Sequence, residues 1–219
     1  MERKIIITED GSSTIHLPKW DEHYHSIHGA IQEAKHVFIK SGLSLFSDSE
    51  ISILEIGFGT GLNSFITFLE ASKLKLTIDY VGVEAYPITS EEIKKLNYVS
   101  ELEATKFSKV FTEMHQQEWE TKNKISTSFS LTKRKQFFSE INDKNAFNLI
   151  YFDAFGAQVQ PELWTEAIFK LMYVALKNEG VLVTYSAKGS VRRALQSVGF
   201  TVERLPGPPG KREMLRATK

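Results

Sequence analysis

The sequence contains no cysteine among its 219 residues. Disulfides, thiolate metal sites and cysteine nucleophiles are therefore excluded, which suits a reducing cytosol. No segment approaches the roughly 18 to 20 uninterrupted apolar residues of a membrane span, and residues 1–10 lack the apolar core of a secretory signal. We therefore expect a cytoplasmic protein that binds no membrane and whose chemistry uses oxygen, nitrogen or a cofactor.

A net charge is also absent, because Lys plus Arg and Asp plus Glu both number 27. The molecule as a whole exerts no general attraction on nucleic acid, so any such attraction must be local. From Lys188 to Lys219 there are eight basic residues against two acidic ones. This surplus predicts a docking surface for a polyanion near the C-terminus, and a solvated surface balanced by acids elsewhere is an equally good interpretation.

Short apolar runs alternate with segments of helical spacing, which is typical of a mostly parallel sheet covered on both faces. The length suits one core, so we expect a single α/β domain at 1–219, with a Rossmann-like, doubly wound core at 46–219. Residues 1–45 are expected to form an extension packed on it that begins with a β-hairpin. The predicted strands are 4–7, 13–17, 51–56, 76–83, 147–152, 181–185 and a closing antiparallel pair at 200–205 and 214–217; the predicted helices are 30–39, 62–74, 89–96, 163–176 and 191–198.

The sharpest feature is a strand that leads directly into a glycine-rich turn and a helix. Gly57, Gly59 and Gly61 permit a tight turn and a close approach of the backbone to a ligand. Their spacing differs from the Gly-x-Gly-x-x-Gly of dinucleotide sites, and Glu55 stands two residues before the first glycine. A carboxylate repels a pyrophosphate but attracts the ammonium of a methionine moiety, so the pattern resembles the cofactor turn of class I methyltransferases. The alternative is a close helix-to-strand turn that binds nothing.

A second apolar strand ends on an acid. Glu84 follows this strand, 23 residues after Gly61. A carboxylate at that position can accept both ribose hydroxyls of a nucleoside, which predicts Glu84 as a ribose ligand. An ordinary solvated carboxylate at a strand end is the alternative.

A third apolar strand ends on Asp153. Ligands of open α/β sheets bind at the carboxyl ends of the strands, so Glu55, Glu84 and Asp153 are expected to share one crevice. Asp153 would then orient a methyl acceptor amine and take its proton. Phe155 would stack on a base or shield the sulfonium. A helix N-cap is the alternative role for Asp153.

Long strings of the sequence are similar to a known family, the methyltransferases that make 5-methylaminomethyl-2-thiouridine in tRNA. These occur alone, as MnmD, or as the N-terminal half of a bifunctional enzyme, MnmC. The strings that carry the resemblance are 21–26, 29–39, the glycine turn, 153–155 with 161–164, 185–195 (YSAKGSVRRAL) and 207–214 (GPPGKREM).

The resemblance implies transfer of a methyl group from S-adenosylmethionine to the exocyclic amine of 5-aminomethyl-2-thiouridine at the tRNA wobble position, with Asp153 at the reaction centre. Bifunctional members carry a second, FAD-dependent oxidase half, for which this chain has no room. We therefore expect no FAD here, a separate oxidase in the same pathway, and an enzyme that accepts only the aminomethyl intermediate. The predicted cofactor residues are Tyr24, Glu33, Glu55, Gly57, Gly59, Gly61, Asn63, Glu84 and Asp153.

One departure from the usual pattern concerns adenine. Methyltransferases commonly place an acid after the third main strand, but residues 128–137 contain no carboxylate, so Gln136 or a backbone carbonyl is expected to meet the adenine amino group.

Basic residues near the C-terminus are predicted to contact tRNA phosphates, because cations position nucleic acid without reading its sequence. A charged, solvated face is the alternative for any one of them. The predicted residues are Lys188, Arg192, Arg193, Lys211 and Arg212.

The histidines of the N-terminal part, at 16, 23, 25, 28 and 36, lack the spacing and the carboxylates of a metal site, so no metal is predicted.

Two other functions fit parts of the pattern. Aminopropyl transfer to a polyamine uses the same fold, turn and strand-end acid but needs a deeply acidic cleft, which the basic C-terminal region disfavours. An RNA-binding protein with an inactive cofactor pocket would bind no S-adenosylmethionine.

Overall fold

The structure, a computed structural model, describes residues 2–219 and arranges their strands in two sheets. A small antiparallel sheet contains β1 to β3, and a large sheet contains the other eight strands. The strands are β1 Lys4–Ile7, β2 Ser13–Leu17, β3 Glu22–His23, β4 Glu50–Ile56, β5 Thr77–Val83, β6 Lys122–Lys124, β7 Phe129–Arg134, β8 Phe147–Phe152, β9 Leu176–Thr184, β10 Thr201–Pro206 and β11 Glu213–Thr218. The α-helices are α1 Ala30–Ala34, α2 Leu62–Ala71, α3 Ser90–Ile93, α4 Tyr98–Glu101, α5 Ser108–Gln116, α6 Glu166–Ala175 and α7 Gly189–Ser197.

The large sheet has the order β10-β11-β9-β8-β4-β5-β7-β6. The neighbours from β9 to β7 pair in parallel, whereas β11 runs antiparallel to both β9 and β10, and β6 runs antiparallel to β7. This confirms the predicted α/β class with an antiparallel C-terminal strand. Because β4 lies between β5 and β8, the carboxyl ends of the three strands that carry the predicted acids are adjacent, at the point where the strand order reverses.

Both faces of the large sheet are buried, which explains why its strands appear in the sequence as nearly unbroken apolar runs. Successive side chains of β4 point to opposite faces. Ile53 packs in one apolar cluster with Phe65 of α2, and Leu54 packs in the other with Phe169 of α6. All four side chains are fully buried, so the centre of the sheet is held from both sides.

The predicted hairpin is present with the predicted bounds, and β3 adds a short third strand. The predicted helix at 30–39 begins as α1 and continues as a π-helix at Lys35–Lys40. This N-terminal extension contacts the loops that connect the strands of the large sheet. The Ser13 backbone N–H donates to Asn97 Oδ1 at 2.7 Å, and His25 Nε2 lies 2.8 Å from Thr60 Oγ1. The division into an extension at 1–45 and a core at 46–219 stays a prediction.

Several helices are shorter than the apolar spacing predicts. The helix predicted at 163–176 starts after Thr165, which caps it by accepting from the Ile168 N–H, and ends where β9 begins at Leu176. The helix predicted at 89–96 is the single turn α3, which a Thr89–Glu92 capping box defines. The sequence interpretation left α5 unassigned.

Candidate active site

A cavity of about 1440 Å³ opens between the N-terminal extension and the carboxyl ends of β4, β5 and β8. Eight of the predicted site residues line it: Tyr24, Glu33, Gly57, Gly59, Glu84, Asp153, Phe155 and Lys211. The other predicted residues lie outside the lining: Glu55, Gly61, Asn63, Lys188, Arg192, Arg193 and Arg212. Glu84 and Asp153 therefore share one crevice, whereas Glu55, which was predicted to share it with them, does not line it.

The glycine turn forms one wall of the cavity. Gly57 and Gly59 both have positive φ, at 89° and 47°. A Cβ atom on Gly57 would lie 2.6 Å from the backbone oxygen of Asp153, and one on Gly59 would lie 3.2 Å from the ring of Tyr24. Glycine is needed here both for the backbone conformation and for space, so a ligand can approach the main chain closely.

Glu84 is fixed at the edge of this turn. Its Oε2 accepts from the Gly59 N–H at 3.0 Å and its Oε1 accepts from the Tyr86 N–H at 2.9 Å. Each carboxylate oxygen retains a lone pair that can face the cavity. The arrangement suits two neighbouring hydroxyl donors, and the assignment to ribose stays a prediction.

Asn63, at the start of α2, bridges two carboxyl groups beside the cavity. Its Nδ2 donates to Glu55 Oε1 and to Asp153 Oδ2, both at 2.9 Å. Glu55 is fully buried and lies behind the cavity wall, whereas its predicted role required direct contact with a cofactor ammonium. Asn63 links Glu55 to Asp153, so Glu55 acts on the cavity only through these neighbours.

Two buried oxygen atoms in this group have no hydrogen-bond partner within residues 2–219, namely Glu55 Oε2 and Asn63 Oδ1. Neither Glu55 nor Asn63 lines the cavity, so both atoms lie behind its wall and do not meet a bound ligand. The fit to the methionine end of S-adenosylmethionine rests on the lining: Gly57 and Gly59 leave space that a Cβ atom would fill, and Glu84 and Asp153 present carboxyl groups to a positively charged ligand.

The pKa values of both bridged carboxyl groups are raised. Burial raises the pKa of Asp153 to about 7, nearby Glu33 adds to the rise, and Asn63 and Lys211 oppose it. Burial, followed by the charge of Asp153, holds the pKa of Glu55 well above its ordinary value. A carboxyl group with a pKa near neutrality can accept a proton from an amine at physiological pH and release it afterwards.

Glu55→Gln is expected to stabilise the protein at alkaline pH. Folding raises the pKa of Glu55, so above its ordinary value of 4.5 the folded state binds more protons than the unfolded state, and stability falls as the pH rises. Glutamine removes this titration. Thermal unfolding should show a Tm about 2–4 °C above wild type at pH 8, which corresponds to about 1 kcal/mol in a chain of this size, with little difference at pH 4. The same Tm difference at both pH values would show that Glu55 is not destabilised by its burial.

Aromatic rings also line the cavity. The ring of Phe155 lies edge-on to Tyr24 at 5.0 Å and to Trp20 at 5.8 Å. Trp164 Nε1 donates to the Phe155 carbonyl at 2.7 Å, and the Trp164 side chain is buried, so it packs against this part of the lining. Burial raises the pKa of Tyr24 to about 12, which keeps its hydroxyl neutral. Phe155 is positioned for the stacking or shielding role, which stays a prediction.

The expected adenine end of the cavity is aromatic. Gln136 does not line it, whereas its neighbours Lys135 and Phe137 do. Tyr86 and Phe137 are 64% and 53% exposed, with ring centroids 6.0 Å apart. Aromatic rings rather than the Gln136 side chain are therefore available to a nucleobase here, and the other expected partner of adenine, a backbone carbonyl, stays a prediction.

Lys211 lies inside the cavity and not on the outer surface where phosphates would be met. Its Nζ forms an ion pair with Glu33 and lies 4.0 Å from the centroid of the Tyr185 ring. A buried carboxylate holds the ammonium inward, and a contact of Lys211 with tRNA phosphates stays a prediction. Glu33 and Lys211 are 178 residues apart, so no local pattern in the sequence indicated the contact between them.

Other basic residues near the C-terminus are also engaged. Arg216 pairs with Glu203 at 2.8 Å, and Arg204 contacts Glu213 at 3.5 Å, so β10 and β11 neutralise part of the surplus. Arg192 is half-buried, whereas the other predicted phosphate contacts are exposed: Lys188, Arg193 and Arg212.

Two residues missed by sequence reasoning line the cavity. Arg3 donates to the Tyr86 carbonyl at 2.7 Å and lies 5.9 Å from the centroid of the Tyr24 ring, so it ties the N-terminal strand to the connection after β5. No motif could have indicated it, since a lone arginine just before a short strand has no diagnostic spacing. Tyr185 donates its hydroxyl to the Ala154 carbonyl at 2.8 Å, and it begins one of the strings that carry the resemblance.

His25 lines the cavity, and burial lowers its pKa to about 4, so it is neutral at pH 7. Within residues 2–219, no three His, Cys, Asp or Glu side chains are grouped as a metal site would require. Over the same residues, no helix has the length and apolar character to cross a bilayer.

The fold and the cavity define an S-adenosyl-L-methionine-dependent methyltransferase. A family model with that description matches residues 95–219, and the chain belongs to this family. Use of S-adenosylmethionine follows from this membership. The family prediction and the predicted class of enzyme are confirmed.

Among curated proteins, the chain is similar to the tRNA 5-methylaminomethyl-2-thiouridine biosynthesis bifunctional proteins MnmC. The protein from Leptospira interrogans is 32% identical over 214 residues, which cover 90% of this chain and 32% of the relative. The protein from Idiomarina loihiensis is 27% identical over 214 residues, which cover 90% of this chain and 35% of the relative. The chain thus spans about a third of the length of these relatives.

Among solved structures, the crystal structure of MNMC2 from Aquifex aeolicus superimposes with a TM-score of 0.77 at 26% identity and covers 99% of this chain and 70% of that one. A spermidine synthase in complex with the transition state analogue AdoDATO gives a TM-score of 0.63 at 16% identity, with coverage of 99% and 70%. At that identity the second likeness shows the fold alone.

Proposed function

We propose that this chain transfers a methyl group from S-adenosylmethionine to the exocyclic amine of 5-aminomethyl-2-thiouridine, or of its 2-oxo form, at the tRNA wobble position. The product would be 5-methylaminomethyl-2-thiouridine. The observation that carries the proposal is Asp153, a carboxyl group with a pKa near 7 on the lining of a cavity that the glycine turn also borders. The similarity to the MnmC relatives supports the substrate.

The cofactor, when bound, supplies a positively charged and therefore electrophilic methyl group. The turn at Gly57 and Gly59 would receive the methionine portion of the cofactor, because both glycines leave space beside the main chain. Asn63 would contribute from behind the wall by holding Asp153 in place. Glu84 would hold the ribose. Tyr24 and Glu33 would close the cavity from the extension.

Asp153 would act on the acceptor. An amine attacks only through a free lone pair, so the group must be neutral and must lose a proton after the new bond forms. The carboxylate of Asp153 can orient the amine N–H and receive that proton, while Asn63 keeps the carboxylate in place. Phe155 would stack against the uracil ring or shield the reacting atoms from water.

Exposed cations next to the cavity would position the tRNA. Lys188 donates to Gln158, which lines the cavity, at 2.8 Å, and Arg212 directly follows Lys211 in the chain. We expect Lys188→Glu with Arg212→Glu to lower tRNA affinity at low salt by about tenfold or more, and to reduce the salt dependence of binding, because fewer counterions are released. Filter binding at several salt concentrations measures both.

A matched control reverses two exposed charges on helices outside the cavity lining, Lys109→Glu with Lys170→Glu. Equal losses in the two double variants would show that general charge, rather than this surface, determines tRNA binding.

In cells, the proposal is tested by nucleoside analysis of tRNA from a strain that lacks this protein. The aminomethyl nucleoside should accumulate, and wild-type protein, but not Asp153→Asn, should restore its methylation. A separate FAD-dependent oxidase in the cytosol would supply that intermediate by removing the carboxymethyl group. An unchanged nucleoside profile would refute the proposed substrate.

The shared fold does not extend the proposal to polyamines. A polyamine carries several positive charges, and the cavity lining includes three cationic residues, Arg3, Lys135 and Lys211. Incubation with putrescine and decarboxylated cofactor is expected to yield no spermidine.

A further inference from the structure

The ion pair of Glu33 and Lys211 is built into the wall of the cavity. Glu33, on α1, has a side chain that is 8% exposed, and its Oε1 accepts from the Ser26 N–H at 3.1 Å. Its Oε2 binds Lys211, whose ammonium also lies over the ring of Tyr185. Tyr185 in turn is anchored to the carbonyl of the residue after Asp153. The pair is therefore fixed from three parts of the chain.

The positive charge of Lys211 weakens the binding of positively charged ligands to this cavity. The cofactor is positively charged and an alkylamine is normally protonated, so Lys211 repels both. It also neutralises Glu33, which would otherwise attract them. The positive charge must therefore have another use, and the nearby reacting carboxyl group indicates what it is.

We propose that Lys211 and Glu33 form a positioning pair for the acceptor: Lys211 holds a fixed positive charge beside Asp153 so that the acceptor enters as a neutral amine, and Glu33 holds Lys211 in place. The inference rests on the proposed function. Neither residue contacts the reacting atoms in this scheme, so both act through the amine and Asp153.

The positive charge of Lys211 favours methyl transfer to a neutral amine. The lone pair of the neutral amine forms the new N–C bond as the S–C bond breaks, and the electron pair of that bond stays on sulfur, which becomes a neutral thioether. The extra proton on nitrogen then moves to the Asp153 carboxylate. A protonated amine has no lone pair and cannot begin this step.

The charges around Asp153 come from several elements. Lys211 lowers its pKa, whereas Glu33 raises it. Other groups that interact with this cluster are Glu55, Tyr80, Tyr185 and His25. The charge of Asp153 contributes to raising the pKa values of Glu55, Tyr80 and Tyr185, whereas His25 is buried and neutral at pH 7. Lys211 is the group in this cluster that acts as a fixed cation.

The pH profile of kcat/KM tests the pair. Loss of the cation raises the pKa of the acceptor amine and of Asp153 alike, so Lys211→Met should move the acidic limb of the profile upward by about one pH unit, as expected for a charge several ångströms away. Glu33→Gln should move the limb downward. Lys211→Arg should restore the wild-type position. The substrate is tRNA that carries the aminomethyl nucleoside, prepared from cells that lack this protein.

Lys170→Met is the matched control, because it removes the same charge from an exposed lysine of α6 and should leave the limb unmoved. S-adenosylmethionine affinity and Tm are measured for every variant, and Lys211→Gln replaces Lys211→Met if the latter does not fold.

A uniform loss of kcat/KM at all pH values in the Lys211 and Glu33 variants, with no shift of the limb, would overturn the inference and leave the pair a purely structural role. Failure of the wild-type protein to methylate this tRNA would instead refute the proposed function.

Discussion

Asp153→Asn is expected to lower kcat for the proposed methyl transfer by about 100-fold or more, the range of a lost general base. The amide cannot accept the proton that the amine loses, yet it is nearly the same size and can still bond to Asn63. Binding of S-adenosylmethionine should therefore remain within about threefold of wild type, since a neutral replacement leaves the turn at Gly57 and Gly59 intact. Single-turnover kinetics together with calorimetry separate the two effects.

The control is Asp79→Asn, which removes a carboxyl group from β5 outside the cavity lining. In the wild-type protein this carboxylate pairs with Lys122 at 2.9 Å. It should leave kcat unchanged. Normal turnover by Asp153→Asn would remove Asp153 from the reaction and with it the main argument for the proposed chemistry.

Gly57→Ala is the substitution with the second large effect, on cofactor binding. The residue has φ of 89°, and an added methyl group would lie 2.6 Å from the Asp153 oxygen and 3.3 Å from its carbonyl carbon, both backbone atoms. Neither atom can move without displacing β8, on whose carboxyl end Asp153 stands. We expect a loss of at least about 2 kcal/mol in unfolding free energy from strain and overlap, and a loss of S-adenosylmethionine affinity of tenfold or more.

Gly189→Ala is the matched control. Gly189 begins α7 with an ordinary φ, and its added Cβ would meet only the end of the Arg193 side chain at 3.2 Å. Calorimetry and thermal unfolding should find that variant close to wild type. If Gly57→Ala also bound the cofactor normally, the turn would not be the cofactor cradle.

The architecture was predictable because apolar patterning and strand ends are local properties. The β1 and β2 hairpin and strand β8 have the predicted bounds, since turn residues and uninterrupted apolar runs define them. Helix α5 was missed because most of it is polar, and only Phe111 and Met114 among its residues are buried. Its position depends on packing, which the sequence does not state directly.

The site was predictable where one residue type at one spacing carries the chemistry. The glycine turn, Glu84 and Asp153 belong to this class, because each follows a strand and the strands are neighbours. Burial of Glu55 behind Asn63 was not predictable, since it depends on where the first turn of α2 lies relative to β4.

The pairing of Lys211 with Glu33 was unpredictable for the same reason. Its charge suggested an outward, phosphate-binding role, and only the fold shows that α1 presents Glu33 to it. Composition counts charges but does not reveal which of them are paired. The same holds for Arg204 and Arg216, whose partners lie across the β10 and β11 pair.

The most direct test of the account uses the purified chain, S-adenosylmethionine with a labelled methyl group, and tRNA that carries 5-aminomethyl-2-thiouridine. Digestion of the tRNA and mass spectrometry of its nucleosides should find the label in 5-methylaminomethyl-2-thiouridine, and in no other nucleoside. Label that stays on the cofactor, or that appears on a different nucleoside, would contradict the account.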